Sequence, residues 1–300
     1  MPSFLSIGEV LWDLLPQGAK PGGAPVNFAY HAQVLGAQAA FVSAVGTDKL
    51  GDDLLDFFRS IGLSIELVQR INDAPTGTVG VQLGSDGQPK YTIHENTAWD
   101  KIECTSAALD YVKNADVVCY GSLSSRNEIT RETVQTLLKN CGEKTLRVLD
   151  LNLRAPFIDK EIIETLLKTA NVLKLNDEEI AVISEMFGCP QTDIFSRAEW
   201  LVEMYGFRFV ILTRSDRGSV LLKNSETIEI ANHPGFALSH TEIADTVGAG
   251  DGFTAAAIRG FLLGWSLDKI NEVANGYAAY ICTQAGAAPQ IPERFTKLFA

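Results

Sequence analysis

Short apolar segments with the length of buried strands alternate with amphipathic helical segments along most of this chain of 300 residues. The predicted strands that are each followed by a predicted helix cover residues 4–8, 39–46, 117–121, 146–151 and 172–175. Such alternation is typical of crossover connections, which join parallel strands and place helices on both faces of the sheet. The chain is therefore predicted to be an α/β protein with a mostly parallel central sheet.

A block without helices interrupts this alternation after residue 62. Predicted strands over residues 64–71, 78–83 and 90–94 are separated by turns, including the turn at residues 85–87. We interpret residues 64–100, together with residues 10–20, as a small β-lid over a site at the sheet. No linker rich in Pro, Gly or Ser divides the chain, so residues 1–300 are predicted to form one domain with this lid.

Charge and composition exclude several classes of partner. The net charge of −12 and the pI near 4.8 argue against nucleic acids and anionic membranes, because both need a basic surface. No apolar run approaches the roughly 18 residues of a membrane span, and no signal-like segment follows the first residue. We therefore expect a cytoplasmic enzyme. The scattered cysteines are interpreted as buried thiols, and the histidines lack the spacing of a zinc site.

The sequence Asp-Thr-Val-Gly-Ala-Gly-Asp-Gly at residues 245–252 precedes an apolar run with helix-forming composition. Gly248, Ala249 and Gly250 are predicted to form a helix N-terminus, where unpaired backbone N–H groups and the helix dipole attract anions. A carboxylate beside an anion site is useful when it must take a proton from a hydroxyl that attacks the anion. Asp251 is the candidate base. The alternative is an ordinary first-turn helix charge.

Two further segments predict sugar contacts near the amino terminus. Gly22 and Gly23 permit a close approach of ligand or backbone, and the amide of Asn27 in the following helix suits hydroxyl groups. Asp13 lies just past the first strand, where open α/β sheets bind ligands. The alternatives are an ordinary entry into a helix and a solvated loop acid.

Polar residues also follow later strands. Asn152 and Arg154 lie on one side of the chain as it leaves a strand, and Arg154 could bind phosphate oxygens. Asn176 and Glu179 have the spacing of a capping box, but they could also hold a hydrated Mg²⁺ ion. The segment Thr213–Gly218 could lie along the phosphates of a nucleotide. The chain has no G-x-x-x-x-G-K-[ST] sequence, which excludes a P-loop.

Taken together, these motifs resemble the PfkB, or ribokinase-like, family of sugar kinases over essentially the whole chain. The resemblance rests on Asp245-Thr246-x-Gly248-Ala249-Gly250-Asp251 and on Gly22-Gly23-x-x-x-Asn27-x-Ala29. It implies a three-layer α/β/α fold and phosphorylation of a sugar's primary hydroxyl by ATP. Asp251 would be the base, and Gly248, Ala249 and Gly250 would form the anion hole.

The resemblance also implies roles for residues outside these two motifs. Further residues implied in binding sugar, nucleotide and Mg²⁺ are Asp13, Gly22, Gly23, Asn27, Asn152, Arg154, Thr213, Gly218, Asn275, Asn176 and Glu179. Asp245 and the backbone near Val247 and Gly286 match positions that often bind a monovalent cation, so K⁺ is left open. A homodimer through the lid is left open as well.

Within this family, Gly8-Glu9 followed by Asp13 and Pro16 resembles fructokinases, which favours fructose as the substrate. The lid segment at residues 91–100 departs from the fructokinase pattern. Kinases for ribose, 2-keto-3-deoxygluconate or a nucleoside therefore remain alternatives, as does a non-catalytic binding protein of the same family. A methyltransferase or dinucleotide turn is disfavoured, because such turns normally follow the first strand.

Overall fold

The computed structural model describes residues 1–15, 18–83, 89–239 and 241–300. The strands are β1 (Ser3–Ile7), β2 (Leu11–Leu15), β3 (Gly18–Gly22), β4 (Gln38–Gly46), β5 (Val68–Ile71), β6 (Gly77–Leu83), β7 (Pro89–Ile93), β8 (Val117–Gly121), β9 (Leu146–Asp150), β10 (Val172–Asn176), β11 (Phe209–Thr213), β12 (Ser219–Asn224) and β13 (Ile228–His233). The helices are α1 (Ala24–Val34), α2 (Lys49–Ser60), α3 (Ser106–Lys113), α4 (Glu128–Lys139), α5 (Lys160–Thr169), α6 (Asp177–Met186), α7 (Ile194–Tyr205), α8 (Ala249–Leu262), α9 (Leu267–Cys282) and α10 (Glu293–Thr296).

The central sheet has nine strands in the order β13-β12-β11-β10-β9-β8-β1-β4-β5. The strands from β11 to β5 pair in parallel, whereas β12 and β13 form an antiparallel hairpin at one edge. Because the parallel strands point the same way, the residues that follow them meet at one edge of the sheet. The prediction of a mostly parallel central sheet is confirmed.

Alternate residues of each central strand pack against different helices. Phe4 of β1 joins a core with residues of α1, α2, α8 and α9, whereas Leu5 and Ile7 join a second core with residues of α3 to α7. Side chains alternate between the two faces of a strand, so the two cores lie on opposite faces of the sheet. The result is the predicted three-layer arrangement. None of the helices in the described parts of the chain is long and apolar enough to span a membrane.

A second sheet, which we call the small sheet, contains four strands in the order β3-β2-β6-β7. Its extent differs from the sequence-based expectation in two ways. Val68–Ile71 was expected in the small sheet, but it pairs in parallel with β4 at the edge of the central sheet. Gly18–Gly22 was not predicted as a strand, because its glycines and proline disfavour strands, yet it pairs with β2. Residues 16–17 and 84–88 of the expected lid lie outside the described residues.

A buried arginine that follows β8 of the central sheet binds the segment that follows β7 of the small sheet. Arg126 donates hydrogen bonds to both carboxylate oxygens of Asp100, each at 2.8 Å, and another to the carbonyl oxygen of His94 at 2.6 Å. The guanidinium lies between the rings of Trp99 and Phe157, at 4.0 and 4.5 Å from their centroids. A buried charge of this kind is tolerated because it is paired and hydrogen-bonded.

We expect the Arg126→Met substitution to lower the free energy of unfolding by about 3–5 kcal/mol, because Asp100 is left buried and unpaired. Urea denaturation followed by circular dichroism measures this loss. The matched control is Arg59→Met, which breaks the exposed pair with Asp56 and should cost less than about 1 kcal/mol. Equal losses in the two variants would contradict the proposed importance of the buried pair.

Candidate active site

Two long helices begin without a side chain that caps their first turn. The helices α2 to α7 and α9 each begin at a Ser, Thr, Asp or Asn whose side chain accepts a backbone hydrogen bond. In contrast, α1 and α8 begin after Gly23 and Gly248 and have no side-chain cap. The first N–H groups of a helix need partners, and a glycine cap leaves them available to a ligand.

The turn before α8 requires glycine at position 248. Gly248 has φ +82°, and a Cβ atom there would lie 2.8 Å from the backbone of Ala287. At Gly250 a Cβ atom would lie 3.6 Å from the ammonium nitrogen of Lys174. Gly248 therefore has to be glycine because the backbone of Ala287 packs against it, whereas a Cβ atom at Gly250 would make only an ordinary contact.

Not all of the predicted anion hole has free backbone N–H groups. The N–H of Ala249 donates to the carbonyl oxygen of Thr246 at 3.3 Å, because the chain closes a tight turn just before α8. Among the residues that the structure describes, the N–H groups of Gly250 and Asp251 have no acceptor. Of the backbone groups predicted to bind an anion, those of Gly250 and Asp251 are therefore available, whereas that of Ala249 is already hydrogen-bonded.

Asp251 is held by the start of the other uncapped helix. Its Oδ2 atom accepts a hydrogen bond from Nδ2 of Asn27 at 2.9 Å, and Asn27 itself is buried. Burial, followed by the charge of Asp150, raises the pKa of Asp251 to about 6, against smaller lowering effects of Asn27, Lys174 and Arg154. A carboxylate with this pKa is ionised at neutral pH and is a better proton acceptor than an exposed aspartate.

A buried ion pair lies beside Asp251. Lys174 donates to Oδ1 of Asp150 at 2.9 Å, and both side chains are 9% exposed. Burial alone would lower the pKa of Lys174, but the charges of Asp150 and Glu179 raise it above its ordinary value. The ammonium therefore stays charged close to Gly250. Sequence reasoning missed Lys174, although a lysine in the middle of an apolar strand is a usable signal.

The predicted sugar residues Asp13, Gly22 and Gly23 lie together at the start of the small sheet. A Cβ atom at Gly22 would lie 2.7 Å from Oδ2 of Asp13, and one at Gly23 would lie 2.4 Å from the carbonyl oxygen of Glu9. Gly22 thus leaves room for the carboxylate of Asp13, and Gly23 lets the chain pass close to the backbone of Glu9. Burial raises the pKa of Asp13, and the nearby charge of Arg154 opposes this effect.

Asn152 and Arg154 face the same region from the end of β9. Asn152 lines a cavity together with Asp251 and has φ +41°, a conformation that asparagine tolerates better than most residues. Arg154 is exposed, and its charge lowers the pKa values of Asp13 and Asp251. The structure therefore brings the predicted sugar residues to one end of the sheet, around the candidate base.

Asn176 and Glu179 form the capping box of α6. Oδ1 of Asn176 accepts from the N–H groups of Glu178 and Glu179, and Oε2 of Glu179 accepts from the N–H of Asn176. Oε1 of Glu179 accepts from the N–H of Leu153 at 2.9 Å. Both carboxylate oxygens of Glu179 therefore accept hydrogen bonds from backbone N–H groups, and the predicted capping box is present. Because these oxygens already accept backbone hydrogen bonds, we expect any metal here to be held through its water molecules.

Asp245, Val247 and Gly286 lie together, as expected for a cation site. The N–H of Val247 donates to Oδ1 of Asp245 at 3.1 Å, and the N–H of Gly286 donates to Oδ2 at 3.3 Å. Lys20 of the small sheet also donates to Oδ2, at 3.0 Å. The ammonium group of Lys20 thus already pairs with the Asp245 carboxylate that would bind a monovalent cation.

The predicted nucleotide residues lie farther along the sheet. Thr213 ends β11, and Gly218 has φ +77° with its Cα packed against the backbone of residues 233–235. Asn275 is 7% exposed, and its Nδ2 atom donates to Oγ of Ser219 at 2.7 Å. Gly218 thus packs against protein backbone, and the amide nitrogen of Asn275 already donates a hydrogen bond to Ser219. Only the other atoms of this region could contact a ligand.

Comparisons with known proteins identify the family of this chain. The model of the pfkB family of carbohydrate kinases matches residues 17–294. An uncharacterized sugar kinase of Pyrococcus horikoshii is 28% identical over 94% of this chain and 90% of its own length. Fructokinase-2 of Oryza sativa subsp. japonica is 27% identical over 96% of this chain and 90% of its own length.

Solved structures show the same fold. The P. horikoshii sugar kinase superposes with a TM-score of 0.81 and 26% identity over 95% of this chain and 93% of that chain. Ribokinase of Thermotoga maritima gives a TM-score of 0.78 at 22% identity over 100% of this chain and 99% of that chain. The fold is therefore ribokinase-like, and the chain is a phosphotransferase with an alcohol acceptor that belongs to the PfkB family of carbohydrate kinases.

Proposed function

We propose that this enzyme transfers the γ-phosphoryl group of ATP to the C6 hydroxyl of D-fructose, with Asp251 as the base. The observation that carries the proposal is the position of Asp251. Its carboxylate lies at an uncapped helix N-terminus and is held by Asn27 from the second uncapped helix. An anion and a hydroxyl can therefore be bound on either side of the same carboxylate.

ATP is the proposed phosphoryl donor. The structure of the related P. horikoshii sugar kinase, 26% identical to this chain, is a complex with ATP. In our proposal the nucleotide lies beyond the end of β11, along Thr213–Gly218 and near Asn275, with its γ-phosphate at the start of α8. The free N–H groups of Gly250 and Asp251 then bind the transferring phosphoryl group, and such preorganised donors are worth roughly 3–4 kcal/mol each.

Asp251 supplies the proton acceptor. Oδ2 accepts from Asn27, while Oδ1 has no hydrogen-bond partner among the described residues and can accept the proton of a sugar hydroxyl. As the hydroxyl oxygen bonds to the γ-phosphorus, the bond to the leaving oxygen of ADP breaks and the proton passes to Asp251. The charged ammonium of Lys174, held by Asp150, lies near enough to offset negative charge at the phosphoryl group.

Mg²⁺ is proposed as a cofactor that binds with the nucleotide. The oxygens of Glu179 and Asn176 already accept backbone hydrogen bonds, so these residues would hold water molecules of the metal. When bound, Mg²⁺ neutralises charge on the phosphate oxygens. Potassium stays a prediction, and Lys20 already places a positive charge on Asp245.

Fructose is proposed because curated relatives from rice and Arabidopsis thaliana are named fructokinases or probable fructokinases, at 26–27% identity. In this chain Asp13, Gly23 and Asn27 would bind its hydroxyls, and Arg154 would reach either the sugar or the phosphoryl group. Ribose, 2-keto-3-deoxygluconate and nucleosides remain the alternative substrates.

The small sheet is proposed to act as a lid. Dimerisation through this sheet and a cytoplasmic location stay predictions.

We expect the Asp251→Asn variant to retain ATP binding and to lose turnover by a factor of about 10²–10⁴, the usual contribution of a general base. Steady-state ADP release with fructose measures turnover, and calorimetric titration measures binding. The matched control is Asp268→Asn, which removes an exposed carboxylate from the first turn of α9. Near-normal turnover in the Asp251 variant would overturn its assignment as the base.

The dependence of kcat/KM on pH should report the pKa of Asp251. Because the base acts only when ionised, kcat/KM should fall as the pH decreases through about 6. Asn27→Ala removes a hydrogen bond that favours the ionised form, so the acid limb should move upward by roughly 0.5–1 pH unit. A downward shift, or no shift, would show that Asn27 does not stabilise the reacting carboxylate.

A substrate panel separates the proposed sugar from its alternatives. A coupled assay of ADP release should give the highest kcat/KM with fructose when fructose, ribose, 2-keto-3-deoxygluconate and nucleosides are compared. ³¹P NMR of the product should show a phosphate on the primary C6 hydroxyl. A higher kcat/KM for another member of the panel would reassign the substrate and leave the role of Asp251 intact.

A further inference from the structure

Glu9 is a buried carboxyl group with no role in the steps described above. It directly follows β1 and Gly8 and is 4% exposed. Its Oε2 atom is buried and has no hydrogen-bond partner in the described part of the molecule. An unpartnered polar atom of this kind costs about 1–3 kcal/mol, so its retention calls for a physical explanation.

Glu9 and the candidate base line one small cavity. Its volume is about 20 Å³, which is enough for a single water molecule. The residues with polar or titratable side chains that line it are Glu9, Cys119, Tyr120, Ser122, Asp150, Asn152 and Asp251. The cavity is thus bounded by α1, by the ends of β1, β8 and β9 and by the first turn of α8.

The charges around Glu9 determine its protonation. Burial raises the pKa of Glu9 to about 7 against the lowering effects of a hydrogen bond with its own backbone and of the charge of Arg154, and the charges of Asp251 and Asp150 raise it further. Cys119 of β8 also lines the cavity, and burial keeps its thiol neutral. The described residues of α1 at the cavity, Ala24, Pro25 and Phe28, carry no charge. Below a pH of about 7, Glu9 therefore holds its proton.

We propose that Glu9 is a positioning residue for Asp251: as a neutral carboxylic acid it donates a hydrogen bond across this cavity, through one water molecule, to the carboxylate of the base. The donated hydrogen bond favours the ionised form of Asp251. Together with the hydrogen bond from Asn27 on Oδ2, it restricts the orientation of the carboxylate that accepts the proton of the substrate hydroxyl. The inference rests on the proposed role of Asp251 as the base.

The first test measures the protonation of Glu9 without any turnover. Protein labelled with ¹³C at the glutamate side-chain carboxyl carbons is titrated by NMR, and Glu9→Gln identifies the resonance of Glu9. We expect Glu9 to titrate near pH 7 in the unsubstituted enzyme and at lower pH in Asp251→Asn, because the neighbouring charge is removed. Titration near the ordinary value of glutamate, or no change in Asp251→Asn, would overturn the proposal.

The second test uses the acid limb of kcat/KM with fructose. Glu9→Gln keeps a neutral donor of the same shape and should leave the limb in place, whereas Glu9→Leu should move it upward by about one pH unit. Cys119→Ala is the matched control, since it alters packing in the same cavity without removing a donor, and its limb should not move. If Glu9→Leu lowers activity or melting temperature but leaves the limb unchanged, Glu9 is only structural and the proposal fails.

The two tests separate this inference from the proposed function. If no sugar in the panel is phosphorylated, the proposed function fails, while the NMR titration still decides whether Glu9 and Asp251 are coupled. Circular dichroism and thermal melting of each variant establish that the fold is retained. Glu9→Gln is the variant that keeps shape and volume, so it maintains the comparison if Glu9→Leu does not fold.

Discussion

The electrostatics of the site depend on the buried ion pair between Asp150 and Lys174. The two residues lie opposite each other on the neighbouring strands β9 and β10. Removing either charge would leave the other buried without compensation. Asp150 raises the pKa of Asp251, and Lys174 lowers the pKa values of Asp251 and Glu179. The same ion pair therefore affects the pKa of the candidate base Asp251 and the pKa of Glu179 at the start of α6.

The helix starts show how local interactions serve both stability and function. A capping side chain such as Asp48 of α2 stabilises a helix by about 0.5–2 kcal/mol, and this protein uses such caps on most of its helices. Gly23 and Gly248 provide no capping side chain at the starts of α1 and α8, which costs only a few tenths of a kcal/mol because glycine is tolerated at this position. The uncapped termini are supported by packing instead, since Gly248 fits against Ala287, whose carbonyl oxygen lies 3.0 Å from the ring of the buried His31.

The features that depend on local sequence could be predicted, and those that depend on strand pairing could not. The glycines and acid of residues 245–252 are contiguous, so the start of α8 and the position of Asp251 follow from a short segment. Lys174 needs Asp150, which is 24 residues away, and only the register of β9 and β10 brings them together. Val68–Ile71 looked like part of the lid because a strand sequence does not specify which sheet it joins.

The order of the strands places the proposed sugar-binding groups and the proposed nucleotide-binding groups at different strands of the sheet. Under the proposed assignment, the groups that select the sugar come from the ends of β1 and β9 and from the small sheet. The groups that bind the nucleotide come from the ends of β10 and β11 and from α9. Substitutions in the small sheet or at the ends of β1 and β9 can thus alter the acceptor while the donor half stays unchanged. An enzyme with this division of its site can change its sugar substrate during evolution while its nucleotide site stays the same.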